Sequence, residues 1–263
     1  MNVYDVLYNY GFDDLYIMDK VISVDWSLLI NRLKNKLKEF TNFSLHTNST
    51  VLNVKYNDNF IVTTNIRDYH SINIISGTDI NSFNKIFINL PKSVLQPYKL
   101  IQGQPFLLLY AKFSKASTLI LNQYIKNFTI YSSRLHKIIP INPNDGIYII
   151  SYSDNNNAIK LKSYLSNKTY LIDLIKKTLN IKDDLKILKL HSYYWINGTH
   201  YYKPFLHLYT RRNFLNRIRY PIKNLYIIGE MVAEKQGWIN GALETTLKII
   251  KKFHAYANIN YSK

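Results

Sequence analysis

The 263-residue chain contains no cysteine, which excludes disulfides, thiolate metal sites and a cysteine nucleophile, and fits a reducing compartment. Acidic residues are scarce: 17 Asp and Glu stand against 34 Lys and Arg, a formal net charge of +17. No apolar run approaches the roughly 18 residues needed to cross a bilayer, so no membrane span is expected. The opening residues, MNVYDVLYNYGFDD, carry no basic stretch leading into an apolar one. No secretory signal is visible, and an intracellular, cytoplasmic location is expected. With only eight glycines and seven prolines, no Gly/Pro/Ser-rich linker separates domains, and no internal repeat is present. G-x-G-x-x-G, the P-loop, H-E-x-x-H and G-x-S-x-G are all missing. His200 and His207 lie seven apart, but no clustered carboxylate completes a metal shell, and no metal site is expected.

What is present describes a globular protein. Hydrophobic residues make up 47% and charged residues 19%, enough for a substantial core in one large domain or two interleaved ones. Basic residues cluster at Arg32–Lys38, Arg211–Arg219 and Lys248–Lys252. Such a field favours nucleic acid, acidic lipid or an acidic protein. A plainer source is codon bias, since Asn, Ile, Lys and Tyr (23 Tyr) are all A/T-encoded. The same bias accounts for the Asn-x-Ser/Thr sequons, read as unused.

Periodicity places a helix over 25–40, with Leu29, Leu33 and Leu37 on one side. Strand-like runs follow at 50–56, 60–65 and 71–76, the first two joined as a hairpin through Asn-Asp-Asn, and another at 85–91. Further strands are expected at 105–113, 146–153 and 185–195, and a helix from about Lys168 capped by Asn167. The fold class expected is α+β or mixed α/β.

The stretch that carries chemistry is NLYIIGEMVAEKQGWINGALETTLKII, residues 224–250. It reads as a strand, a glycine turn, a loop and a helix from about 237 to 253. Gly229 ends the strand and permits a close approach. Glu230 sets a carboxylate at a strand's C-terminal end, where open α/β sheets bind ligands. Gln236 and Gly237 begin a helix whose first N–H groups carry partial positive charge.

The order Gly-Glu, short loop, Gly-aromatic, two residues, Gly-Ala resembles the C-terminal signature of the flavin-dependent amine oxidases. That family includes monoamine oxidases, polyamine oxidases and lysine-specific histone demethylases. LHTNSTVLNVKYNDNFIVTT, KIFINLPKSVL and SYYWINGTHYYKP resemble its other segments more weakly. The resemblance implies a remnant of a two-lobed architecture: residues 1–90 and 206–263 as the FAD-domain-like lobe, 91–205 as the substrate-domain-like lobe. It implies FAD as cofactor, with Gly229, Glu230, Gln236, Gly237, Trp238 and Ile239 lining it. Glu230 would meet the ribityl and diphosphate region, and the helix at Gly237 the flavin N1–C2=O edge. Trp238 and Tyr201 would be the aromatic walls of the catalytic site, holding an amine for hydride transfer.

Three departures stand beside the match. The family's dinucleotide-binding unit has no counterpart here. The strand position that many members fill with lysine is Phe106. The paired glycines before the first helix are replaced by Ser23–Trp26. Three readings are therefore open. The chain is a degenerate, non-catalytic amine-oxidase-like protein with a structural or interaction role, its basic surface serving nucleic acid or an acidic assembly, with an A/T-biased large DNA virus, and so a virion, as one setting. Or it is part of a split FAD-dependent amine oxidase, a partner chain supplying the nucleotide-binding segment. Or the likeness is coincidental. An exposed apolar edge or groove near the N-terminus, where a partner strand would dock, would favour the split enzyme; a flavin cavity filled by Phe106 and Trp238 would favour degeneracy.

Overall fold

The computed structural model describes residues 24–205 and 207–261, with side chains as far as residue 253. Residues 1–23, Leu206 and 262–263, which the expected lobes include, lie outside the described residues. In chain order the elements are α1 (Trp26–Lys38), β1 (Val51–Asn57), β2 (Asn59–Thr64), β3 (Asp68–Ser71), β4 (Ile74–Ser76), α2 (Ile80–Ile86) and α3 (Lys92–Leu95). There follow β5 (Ile101–Phe113), α4 (Lys115–Tyr124), β6 (Thr129–Ile130), β7 (Lys137–Asn142), β8 (Ile147–Asp154), α5 (Asn155–Lys162) and α6 (Lys168–Leu179). The last are β9 (Ile187–Tyr202), α7 (Arg211–Arg219), β10 (Leu225–Ile227) and α8 (Ile239–Tyr261). The mixed α/β class expected from the sequence is the class observed. Two compact units divide the chain. One takes in the chain up to Ser76, Ser82–Leu100 and Tyr202–Ile227; the other takes in Gly77–Asn81, Ile101–Tyr201 and the chain from Ile228 onward.

In the first unit, β1 and β2 form the expected antiparallel hairpin about Asn57–Asn59, and β3 adds to its edge. Asp58 sits at φ 59°, a left-handed turn conformation that Asp tolerates. Residues 71–76 do not form one strand: the chain breaks after Ser71, and β4 pairs in parallel with β10. Residues 85–91 are not a strand either. Phe83 and Phe87 are both buried one helical turn apart, so the burial pattern follows 3.6-residue spacing and α2 occupies the segment's start.

Tyr98 anchors this core. Its ring stacks on Phe83 with centroids 3.9 Å apart, and its hydroxyl donates to the Ile218 carbonyl at 2.6 Å. Burial holds the hydroxyl pKa well above the ordinary phenol value. The unfolded chain releases this proton near pH about 10. The neutral buried phenol thus contributes stability that is intact below that pH and is lost as pH rises toward the folded value. Urea midpoints followed by circular dichroism from pH 9 to 11.5 should fall for the wild type. They should fall less steeply for Tyr98→Phe, which lacks the ionisable group. Equal slopes would show that Tyr98 does not couple to folding.

The basic cluster at Arg211–Arg219 is α7, an element that the sequence reading did not recognise as a helix. Thr210 caps it, accepting from the Asn213 N–H at 3.3 Å. Its arginines are partly used inside the unit: Arg211 lies over Tyr202, Arg217 over Tyr209, and Arg219 is buried. Arg211 and Arg219 are thus partly or fully buried, while Arg212 and Arg217 are exposed.

Helix α1 behaves differently. Asp25 caps it, accepting from the Leu28 N–H at 3.0 Å, but no residue of the helix is buried. Leu29, Leu33 and Leu37 line up as expected and face open solvent, flanked by exposed Trp26, Ile30 and Phe40. A 13-residue helix has little stability alone in water, and the apolar side of this one is exposed.

The second unit is built on a five-stranded sheet in the order β6-β7-β8-β5-β9. Alternation along β5 is clear: Leu107, Leu109, Ala111 and Phe113 are buried, with half-buried Phe106, Leu108 and Tyr110 between them. The buried set packs with Leu121 of α4, Leu161 of α5, and Leu171, Ile175 and Leu179 of α6. Helix α6 starts where expected, with Asn167 accepting from the Tyr170 N–H at 3.0 Å. Burying each such leucine contributes about 1.5–3 kcal/mol. β9 runs to Tyr202, well past the expected end at 195, and α8 begins at Ile239, two residues after the glycine expected to open it.

Candidate functional site

Gly229 follows strand β10 by two residues and adopts φ 107°, ψ 176°, a region open only to glycine. Its N–H donates to the Thr245 hydroxyl at 2.9 Å, and that hydroxyl donates to the Ala242 carbonyl at 2.8 Å. Fully buried Thr245 on α8 thereby holds the residue that leads into Glu230. Glu230 opens a single 3-10 turn, Glu230–Val232, whose apolar residues Met231 and Val232 are buried.

The Glu230 carboxylate is held by three donors from its own unit. One oxygen accepts from the His200 backbone N–H at 3.0 Å and from the Gly237 N–H at 2.6 Å. The other meets His200 Nδ1 at 2.6 Å. On its far side the His200 ring accepts from the Ile80 N–H at 3.3 Å through Nε2. An Nε2 that accepts has no proton, so the geometry assigns a neutral imidazole carrying its proton on Nδ1, aimed at Glu230. The ring is 7% exposed. A second contact, Asn197 Nδ2 to Asp79 Oδ1 at 3.2 Å, fixes the same 77–81 segment to β9.

The glycines divide by role. At Gly229 and Gly237 (φ 107° and 92°) a Cβ would find nothing within 4 Å, so glycine is required by backbone conformation and open space lies beside both. At Gly241 a Cβ would stand 2.2 Å from the Lys235 carbonyl oxygen and 2.6 Å from Ala233 Cβ. There the requirement is close packing of α8 on the loop before it. Gln236 turns inward, its amide donating to the Met231 carbonyl at 2.9 Å. Trp238 and Ile239 are both more than half exposed.

Of the residues expected at the site, Glu230 and Gly237 are in direct contact. Gly229 and Gln236 shape the loop between strand and helix, while Trp238 and Ile239 stand on its outer side. Tyr201 is half-buried and next along β9 to His200, so its side chain leaves the strand on the face opposite the one that meets Glu230. His200, Thr245 and Ile80 were not foreseen. His200 was weighed only as a metal ligand beside His207, and its partner lies 30 residues away with no sequence pattern linking them.

Phe106, the position compared with the family's lysine, lies on the half-exposed face of the sheet. Its ring is edge-on to Tyr152 at 4.9 Å and 6.1 Å from Trp195, which stacks beside Tyr193 at 5.7 Å. Lys137 reaches over Tyr152 at 5.0 Å. A Cβ at Gly198 would fall 2.2 Å from Phe106 Cβ, so that glycine makes room for the aromatic ring. The result is an aromatic strip across β9, β5 and β8 with a lysine at one end. Lys112 is exposed near the other end of β5, paired opposite Ile147.

No protein-family model matches the chain, and no curated protein matches it. Among solved structures it is similar to a protein titled "Putative protoporphyrinogen oxidase" from Exiguobacterium sp. 255-15, with a TM-score of 0.68 and 9% sequence identity. The match covers 94% of this chain and 55% of that one, so the chain spans little more than half the length of its structural neighbour. At that identity the likeness is one of fold. Among the described residues, no helix is long and apolar enough to cross a membrane.

Proposed function

We propose that this chain is one part of an FAD-dependent oxidase, carrying the wall of the flavin site and the substrate-facing sheet, and that a second polypeptide supplies the nucleotide-binding segment. The observation that carries this reading is the open space beside Gly229 and Gly237, at a Gly-Glu loop leading into a helix, in a chain whose fold matches that of a protein named as an oxidase. The bare side of α1 supports it. Exposed Trp238 does not fill the site.

FAD, when bound, would accept a hydride from a carbon next to nitrogen, taking an amine to an imine. The chain's own residues have other tasks. Gly229 and Gly237 leave room for the ring system, and Gln236 fixes the loop through Met231. The first turn of α8 at Ile239 and Asn240 offers N–H groups and positive dipole toward the anionic edge of a reduced ring. The aromatic strip of Phe106, Trp195 and Tyr193 forms a low-polarity surface for the substrate, with Lys137 at its margin. Tyr201 and Trp238 stay assigned as aromatic walls.

A non-catalytic structural or interaction role is favoured by a different observation. The Glu230 carboxylate accepts from three donors of its own unit, which leaves less of it for a ribityl group, and by the resemblance Phe106 stands where many family members have lysine. Flavin fluorescence titration separates the two readings. The chain alone should bind FAD and riboflavin with similar, weak affinity, because this reading gives the chain the wall of the site and assigns the diphosphate cradle to the partner. If the cradle is worth about 4 kcal/mol, its absence weakens FAD about a thousandfold. Absence of quenching by either ligand would discard the flavin reading in favour of the interaction role.

A further inference from the structure

We infer that His200 is the positioning residue of this site: its neutral imidazole orients Glu230, and through Glu230 it holds the Gly237 loop at the head of α8. This rests on the flavin reading for its functional consequence, but the geometry stands by itself. Glu230 sits on a three-residue turn and its side chain is 20% exposed, so the turn alone leaves the carboxylate free to rotate. His200 removes that freedom by contacting both oxygens, one through its main chain and one through Nδ1. The ring cannot rotate in turn, because Nε2 receives the Ile80 N–H. With the carboxylate fixed, the oxygen shared with the Gly237 N–H sets where that loop stands. At Gly237 the bond acts as a tether, since nothing lies within 4 Å of where its Cβ would stand.

Two substitutions separate the two sides of the ring. His200→Asn keeps a donor near the Nδ1 position and loses the acceptor for Ile80. His200→Gln keeps an acceptor near the Nε2 position and loses the donor to Glu230. A purely structural histidine would make the two variants alike, each losing one hydrogen bond. Positioning through Glu230 makes them differ. In His200→Gln, amide exchange at Gly237, followed by NMR on the full chain, should speed up at least about tenfold, and FAD affinity should fall by at least about tenfold. In His200→Asn, which keeps the donor to Glu230 and loses only the Ile80 tether, both should change by no more than about threefold. In the wild-type protein, ¹⁵N shifts of His200 should show protonated Nδ1 and bare Nε2. Equal behaviour of the two variants, or a proton on Nε2, overturns the inference. The expected exchange pattern in a protein that never binds FAD would uphold His200 as the residue that positions the loop, and would overturn the flavin reading alone.

Discussion

Glu230→Gln should destabilise the second unit by about 1–3 kcal/mol, and not only weaken a ligand, because an amide cannot accept from three donors on two oxygens. Its single oxygen can serve the His200 and Gly237 N–H groups, which leaves its NH₂ facing the proton on His200 Nδ1. Turned the other way, the NH₂ faces two backbone donors. If His200 shifts its proton to relieve the clash, the new Nε2–H meets the Ile80 N–H. Every arrangement strands at least one partly buried donor. Urea denaturation should show the loss, with a still larger one in Glu230→Ala. Amide exchange should locate it at Gly237 and His200. The substitution therefore does not leave the fold intact, as a solvent-facing carboxylate would, and loss of FAD affinity in this variant must be read against its stability. A Gln variant that unfolds with the wild type would show the three bonds open in solution.

Gly241→Val should cost more than a valine at either Gly229 or Gly237, although all three glycines belong to one motif. A Cβ at 241 would overlap a backbone carbonyl oxygen and a Cβ, neither of which can rotate away. The start of α8 must then lift from the 233–235 loop, and overpacking of this kind costs about 1–3 kcal/mol or more. Alanine at 241 already places the offending atom, and valine adds two methyls to it. At Gly229 and Gly237 nothing stands near the new Cβ. There the penalty is backbone strain, about 1–3 kcal/mol, and it changes little between alanine and valine. Melting temperatures of the six variants distinguish the mechanisms. A steep Ala-to-Val step at 241 and flat steps at 229 and 237 are expected; a flat step at 241 would mean that the helix start yields freely.

The sequence by itself determined the elements whose signals are local. Asn167 caps the helix predicted after it, the Asn57–Asn59 turn closes the predicted β1–β2 hairpin, and the apolar run 105–113 lies within strand β5. It also marked Gly229 and Gly237 as the glycines of the strand-to-helix loop, while their positive φ values were decided by the structure. What lies between distant residues was decided only by the tertiary structure. Residues 85–91 have a strand-like composition, but burial of Phe83 and Phe87 together selects a helical turn. The arginines of α7 form a basic run in sequence, yet rings at Tyr202 and Tyr209 and a buried position at 219 take up part of it. The Leu29–Leu33–Leu37 stripe predicted an amphipathic helix correctly, while its exposure could be known only from what does and does not pack on it. Glu230 was singled out in the sequence, but the residues that hold it were not. His200 and Ile80 come to it from 30 and 150 positions away, and a hydrogen bond between such residues leaves no periodicity or spacing in one chain's sequence for a reader to find.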